Sequence, residues 1–187
     1  CATRESVQTR LKARAAARNI RHAGIIWEKV LTLEFDNPED MSRFRAAEGE
    51  WEIRDGMLRA VGGDRNRAIL LATGGYDPVR IEFEAANYAA GGLIGDITVL
   101  LNSLPDKSFF TAGYSLTTGS YWNNCTTFYR KGAALANTAW SPVRSGKKNR
   151  IALEYDHGHI RFEMNGEILL KAWDESPMVF AEDRWIG

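Results

Sequence analysis

Two dipeptides constrain this chain more than any other feature. Asp55-Gly56 separates Trp51-Glu52-Ile53-Arg54 from Met57-Leu58-Arg59-Ala60-Val61, and Asn165-Gly166 separates Ile160-Arg161-Phe162-Glu163-Met164 from Glu167-Ile168-Leu169-Leu170-Lys171. The central positions of the tightest hairpin turn need positive φ, which Asn, Asp and Gly tolerate best. Each dipeptide therefore predicts a two-residue β-hairpin between alternating strands. His157-Gly158 has the same character and links Ile151–Tyr155 to the run that precedes Asn165.

Other stretches share the period of two. Leu31, Leu33 and Phe35 alternate with Thr32 and Glu34, and further strands are expected over Val79–Ala85, Ile97–Leu101 and Thr126–Arg130. No long amphipathic helix interrupts them, which argues for an antiparallel all-β sandwich or barrel and against a βαβ protein. We expect a jelly-roll β-sandwich with each strand buried on one face only. The core list is Ile81, Phe83, Val99, Leu101, Ile151, Leu153, Tyr155, Ile160, Phe162 and Met164, with Trp51 as a further core residue. The absence of a fixed internal period argues against a propeller or solenoid.

Composition excludes several function classes. The 187 residues are 44% hydrophobic and 26% charged, enough apolar material for one ordinary domain. Lys+Arg 24 balances Asp+Glu 24, so nucleic acid is not the expected partner. The longest dense apolar run, Ala68–Ala72, is far short of the ~20 residues of a membrane helix. Cys1 and Cys125 are the two cysteines, too few for a disulfide framework and without zinc-ligand spacing; Cys125 reads as a buried free thiol.

Residues 1–28 read as a basic N-terminal arm or short helix, because over residues 1–23 Arg4, Arg10, Lys12, Arg14, Arg18 and Arg21 face only Glu5. Residues 29–187 form the sandwich, and Asp183–Gly187 reads as the entry to a strand, so a missing terminal strand is expected. Cys at position 1 leaves three readings open: a fragment, a trimmed chain, or a lipid-anchored mature lipoprotein in a periplasmic or extracellular setting.

Trp51-Glu52-Ile53-Arg54-Asp55-Gly56-Met57-Leu58, then Leu70-Leu71-Ala72-Thr73-Gly74-Gly75-Tyr76, then Arg80–Glu84 and the late segment Asn149–Gly166 resemble the concanavalin A-like lectin/glucanase superfamily. The nearest subgroups are the 3-keto-disaccharide hydrolase-like and laminin-G-like domains. The resemblance covers roughly residues 29–187 and implies a jelly-roll sandwich that handles carbohydrate. Its motifs are turn glycines and a core tryptophan, so it implies fold more than activity. The E-x-D-x-x-E strand of laminarinase-type members is not matched: Glu154-Tyr155-Asp156-His157-Gly158-His159 has His at the last acid and crosses a turn. The region Gly95–Ser103 also departs from the 3-keto subgroup, which tends to carry a Ser-Gly-containing strand followed by Arg.

Three constellations are candidates for a saccharide site. Arg80, Glu82 and Glu84 share one face of a strand; the two acids are the candidate catalytic pair and Arg80 a sugar ligand. The competing reading is a solvated face held by a salt bridge. Asp96 and Asn102 share a face of the next strand and would extend a polar groove floor. Tyr114, Tyr121, Trp122, Asn124 and Arg130 would supply stacking rings and hydroxyl ligands. Trp140 and Trp173 are lesser candidates. His22, His157 and His159 form no triad, the latter two reading as exposed turn histidines, and no metal centre is expected; Asp64-Arg65-Asn66 leaves a structural calcium open.

The function expected is a glycan-directed sandwich acting as a glycoside hydrolase. The alternatives are a noncatalytic carbohydrate-binding or adhesion module of a larger extracytoplasmic protein and a structural interaction domain. Convergent acids in a groove favour the enzyme; an aromatic platform without nearby acids favours the module.

Overall fold

The structure, a computed structural model, describes residues 27–29, 31–61, 69–73, 76–88, 95–104, 109–119, 124–181 and 183–187. The chain divides into two compact units at Thr32/Leu33, and every described strand belongs to the second, Leu33–Gly187. Residues 1–26 of the expected basic arm, Asp64-Arg65-Asn66, Tyr121 and Trp122 lie outside the described residues.

The strands among the described residues are β1 (Phe44–Glu48), β2 (Glu50–Arg54), β3 (Met57–Val61), β4 (Ile69–Thr73), β5 (Val79–Ala85), β6 (Ile97–Leu101), β7 (Tyr114–Gly119), β8 (Cys125–Arg130), β9 (Ala133–Thr138), β10 (Asn149–Asp156), β11 (His159–Met164), β12 (Glu167–Trp173) and β13 (Trp185–Ile186). Among the described residues, helix is confined to a 3₁₀ segment, Pro38–Arg43, capped by the Asn37 side chain, and to one turn at Phe109–Ala112. The all-β sandwich is thus as the alternation and turns require.

Two antiparallel layers face each other. One is ordered β12-β11-β10-β5. In the other, β6-β7-β8-β9 joins β1-β4-β13 through the end of the chain. β13 pairs with β4, while Leu100 exchanges backbone hydrogen bonds with Gly187 and Ser103 with Trp185. Two residues lie between Leu100 and Ser103 but only one between Trp185 and Gly187, so β6 bulges there. Asn102 takes up the extra residue at φ 54, a conformation Asn tolerates. Trp185–Ile186, read as the entry to an unfinished strand, is itself paired on both sides.

Both dipeptide turns are tight hairpins with the required positive φ: 55 and 66 at Asp55-Gly56, 55 and 82 at Asn165-Gly166. His157-Gly158 joins β10 to β11, and an unforeseen fourth, Lys131-Gly132 at φ 50 and 78, joins β8 to β9. Eight of the ten expected core residues are in the buried cluster, and Ile81 and Phe83 pack against it half-buried. Tyr114, Leu116, Phe128 and Val143 extend it.

Three expectations are corrected. Leu31–Phe35 is not a strand, since Phe35 at φ 59 turns the chain out of extended conformation. Trp51 is half-buried on the β2–β3 hairpin, outside the core cluster, its indole N–H donating to the Glu48 carbonyl at 3.1 Å. Cys125 is a free thiol but half-buried, 3.6 Å from the Thr127 hydroxyl.

Candidate functional site

Alternation along β5, β10, β11 and β12 sends Ile81, Ile151, Leu153, Ile160, Phe162 and Leu170 into the core and the residues between them outward. Register then lines the outward residues up in rows. Asp156, His159 and Trp173 form the first row; Arg80, Glu154, Arg161 and Lys171 the second. Glu82, Ala152, Glu163 and Ile168 form the third, and Glu84 with Arg150 the fourth.

The charged side chains of these rows close around one small residue. Arg150 reaches Glu82 at 3.4 Å; Glu82 pairs with Arg80; Arg80 pairs with Glu154; Arg161 lies 3.6 Å from Glu154 and pairs with Glu163. The result is an unbroken chain of six alternating charges bent around Ala152. Long side chains standing round a methyl leave a hollow, and a depression of about 190 Å³ opens here, lined by Arg80, Arg150, Ala152, Glu163 and Gly166. Ala152 is its floor, 6% exposed beneath the flanking side chains. Glu82 and Glu163 face each other across that floor, two strand spacings or roughly 10 Å apart.

The electrostatics follow from the pairing. The Arg80 hydrogen bond is the main reason the Glu82 carboxyl lies below the ordinary carboxylate range, with Arg150 assisting and partial burial opposing. Glu82 is therefore a fixed anion at neutral pH. Glu84 is exposed and makes no side-chain contact with the other described residues. The hollow offers donors from Arg80 and Arg150, both of them paired with Glu82, and acceptors from Glu163, an arrangement suited to hydroxyl groups.

Not all the expected site residues meet. Arg80, Glu82 and Glu84 do share one outward face, as alternation required. Asp96 and Asn124 are exposed just before β6 and β8, which run the same way in the other layer, so both sit at one end of it. Arg130 closes β8 at the opposite end, with its Nε 3.1 Å from the Asp174 carboxylate. Asn102 is 1% exposed, its amide donating to the Val179 carbonyl at 3.2 Å. Tyr114 is fully buried and stacks on Phe128. The single groove expected from these residues is therefore not formed: Asn102 and Tyr114 are interior, and Arg130 is committed to Asp174.

The residues that do complete the hollow were not foreseen. Arg150, Ala152 and Glu154 alternate on β10, and Arg161 with Glu163 on β11, a pattern visible in the sequence. What places them beside Arg80 and Glu82 is the β5–β10 register, a pairing of residues about seventy positions apart.

At the other end of this face the two turn histidines differ. His157 is exposed, with Nδ1 2.7 Å from Asp156 and its backbone N–H donating to Asp77 at 2.9 Å. His159, expected to be exposed, is buried beside Trp173, ring centroids 4.1 Å apart. Asp77, Asp156 and His157 bring potential ligand atoms within 4.8 Å of one another. The hydrogen bonds among them account for that closeness without an ion.

The sequence matches no protein-family model and none of the curated proteins. Solved structures do match. The carbohydrate-binding module CBM66 from Bacillus subtilis is 16% identical with a TM-score of 0.59, covering 77% of this chain and 85% of that one. A Bacillus subtilis protein of unknown function with a galectin-like fold is 12% identical at 0.62, covering 84% and 91%. The carbohydrate recognition domain of Emp46p, in its potassium-bound form, is 11% identical at 0.61, covering 83% and 85%. At such identities the likeness is one of fold. The chain is a two-sheet β-sandwich of the galectin-like, concanavalin A-like kind, and among its described residues no helix is long and apolar enough to cross a membrane.

Proposed function

We propose that this domain is a noncatalytic carbohydrate-binding module whose site is the hollow over Ala152. The observation that carries the reading is the unbroken chain of alternating charges bent around an apolar floor. A sugar ring presents hydroxyls at its edge and C–H groups on its face. Arg80 and Arg150 can donate to those hydroxyls, Glu163 can accept from them, Glu82 holds the two arginines in place, and the Ala152 methyl meets the C–H groups. The charges already paired with one another are preorganised, so little side-chain freedom is lost on binding. That two of the similar structures are named as carbohydrate-binding or carbohydrate-recognition domains supports the same reading.

The hydrolytic reading, with its narrower likeness to 3-keto-disaccharide hydrolase-like domains, has less support. A glycosidase needs one carboxyl that keeps its proton at neutral pH beside one that has lost it. Glu82 is held ionised by Arg80, the reverse of what a general acid requires. An extracytoplasmic setting, where surface polysaccharides are met, goes with the binding reading.

The test is a glycan array followed by calorimetric titration of the hits against the parent domain and Ala152→Leu. Filling the floor should weaken binding by at least about tenfold, and incubation of the hits with the parent should release no product. Unchanged affinity in Ala152→Leu would place the site elsewhere, and turnover would restore the enzyme reading.

A further inference from the structure

Resting on that reading, we propose that Tyr88 is the stacking platform of the same face, and that the ligand is an oligosaccharide running from the hollow past Arg150 to Tyr88. Tyr88 follows β5, and pairing continues past the strand's last ladder partners, Ala85 and Asn149: the Gly146 N–H donates to the Asn87 carbonyl at 2.7 Å. Asn87 lies two positions after Ala85, but Gly146 lies three before Asn149, so the extra residue is on the Gly146 side. Carrying the alternation of Arg80, Glu82 and Glu84 on past the strand's end at Ala85 would put Tyr88 on the same face.

The ring at that position has the properties a platform needs. It is 74% exposed. One edge lies beside Gly146, where a Cβ would sit 3.6 Å from Cε1, at ordinary van der Waals contact. Gly146 has φ +71, so its missing side chain serves the turn. The Tyr88 hydroxyl has no partner among the described residues. An aromatic left in water with one edge beside backbone can stack on a sugar face at small entropic cost.

Distance sets the length of the ligand. Glu84 and Tyr88 are four residues apart, about 13 Å along extended chain, and the hollow lies one row further on. Between them stands Arg150, its side chain 70% exposed and, among the described residues, paired with Glu82. No single sugar touches both the Ala152 floor and Tyr88; a chain of several units does, with Arg150 meeting the hydroxyls in between.

The experiment takes the best array glycan as a length series from monosaccharide to hexasaccharide and titrates each against the parent, Tyr88→Ala, Tyr88→Phe and Ala152→Leu. Tyr88→Ala should weaken the longest member by about tenfold and leave the monosaccharide unchanged; Tyr88→Phe should behave as the parent. Melting curves should coincide for Tyr88→Ala and the parent, since so exposed a side chain contributes little to the fold. If Tyr88→Ala binds every length as the parent does, or loses the same factor at every length, while Ala152→Leu still weakens binding by at least about tenfold, the platform assignment falls and the hollow stands. If no glycan binds the parent, or Ala152→Leu binds normally, the hollow itself is wrong and the platform falls with it.

Discussion

The hydroxyl of Tyr114 donates to the carboxylate of Asp174 across 2.7 Å, both groups buried, and this bond ties the start of β7 to the segment after β12. The same hydroxyl accepts from the Met178 N–H at 2.8 Å and from the Tyr155 hydroxyl at 3.2 Å, while Asp174 also takes the Ser176 N–H at 2.9 Å. Burial is the main cause that pushes both tyrosines above their ordinary pKa, so both remain protonated donors. Tyr114→Phe keeps the ring but takes one donor from Asp174, which retains Arg130 and the Ser176 N–H, and removes the acceptor of the Met178 N–H and the Tyr155 hydroxyl. It should destabilise the domain by about 1–3 kcal/mol in urea unfolding. A loss within error would mean that water replaces the hydroxyl.

Two turn glycines separate backbone strain from collision. Gly166, at φ +82, has nothing within 4 Å of the place a methyl would occupy, so Gly166→Ala should cost about 1 kcal/mol from conformation alone. At Gly158, φ +93, the added carbon would lie 2.7 Å from the Asp174 carbonyl oxygen. Gly158→Ala should therefore cost clearly more than Gly166→Ala in the same denaturation assay. Equal costs would show that the Asp174 segment yields freely.

Glu82 makes stability depend on acid. Its folded pKa lies below the 4.5 of an ordinary glutamate, chiefly through the Arg80 hydrogen bond. The stabilisation is therefore present above pH 4.5 and disappears as pH falls through the lower, folded value. Exposure and solvent screening keep the effect small. Glu82→Gln should show a shallower fall in stability than the parent between about pH 5 and pH 2. Parallel curves for the two proteins would mean that the pair with Arg80 does not persist in solution.

Glu154 is the least exposed acid of the charge chain, 7% exposed at its side chain, with Arg80 and Arg161 on either side. Glu154→Gln leaves both guanidinium groups without their shared anion and should cost about 1–3 kcal/mol. Double-mutant cycles with Arg80→Ala should then show coupling of at least about 0.5 kcal/mol. Strict additivity would contradict a continuous charge chain.

Local sequence carried much of the fold because its signals are local. Asp55-Gly56 and Asn165-Gly166 permit the one turn whose twist suits adjacent strands, and period two along β10 and β11 separates Ile151, Leu153, Ile160 and Phe162 from their outward neighbours without reference to any partner. The same alternation put Arg80, Glu82 and Glu84 on one face. It did not say which layer would receive Tyr114, because every residue of β7 is buried and its alternation is hidden. Nor did it foresee that Phe35, in an alternating run, would take positive φ.

The site belongs to the tertiary structure. Glu82, Ala152 and Glu163 are neighbours only because β5 and β11 pair on either side of β10, and a one-residue slip in either register would turn each charge into the core. Sequence by itself determined which side chains face outward, since that is a property of one extended chain. Which outward side chains face each other, and hence that six of them form a charge chain bent around a methyl, was decided by strand pairing between segments far apart in the chain.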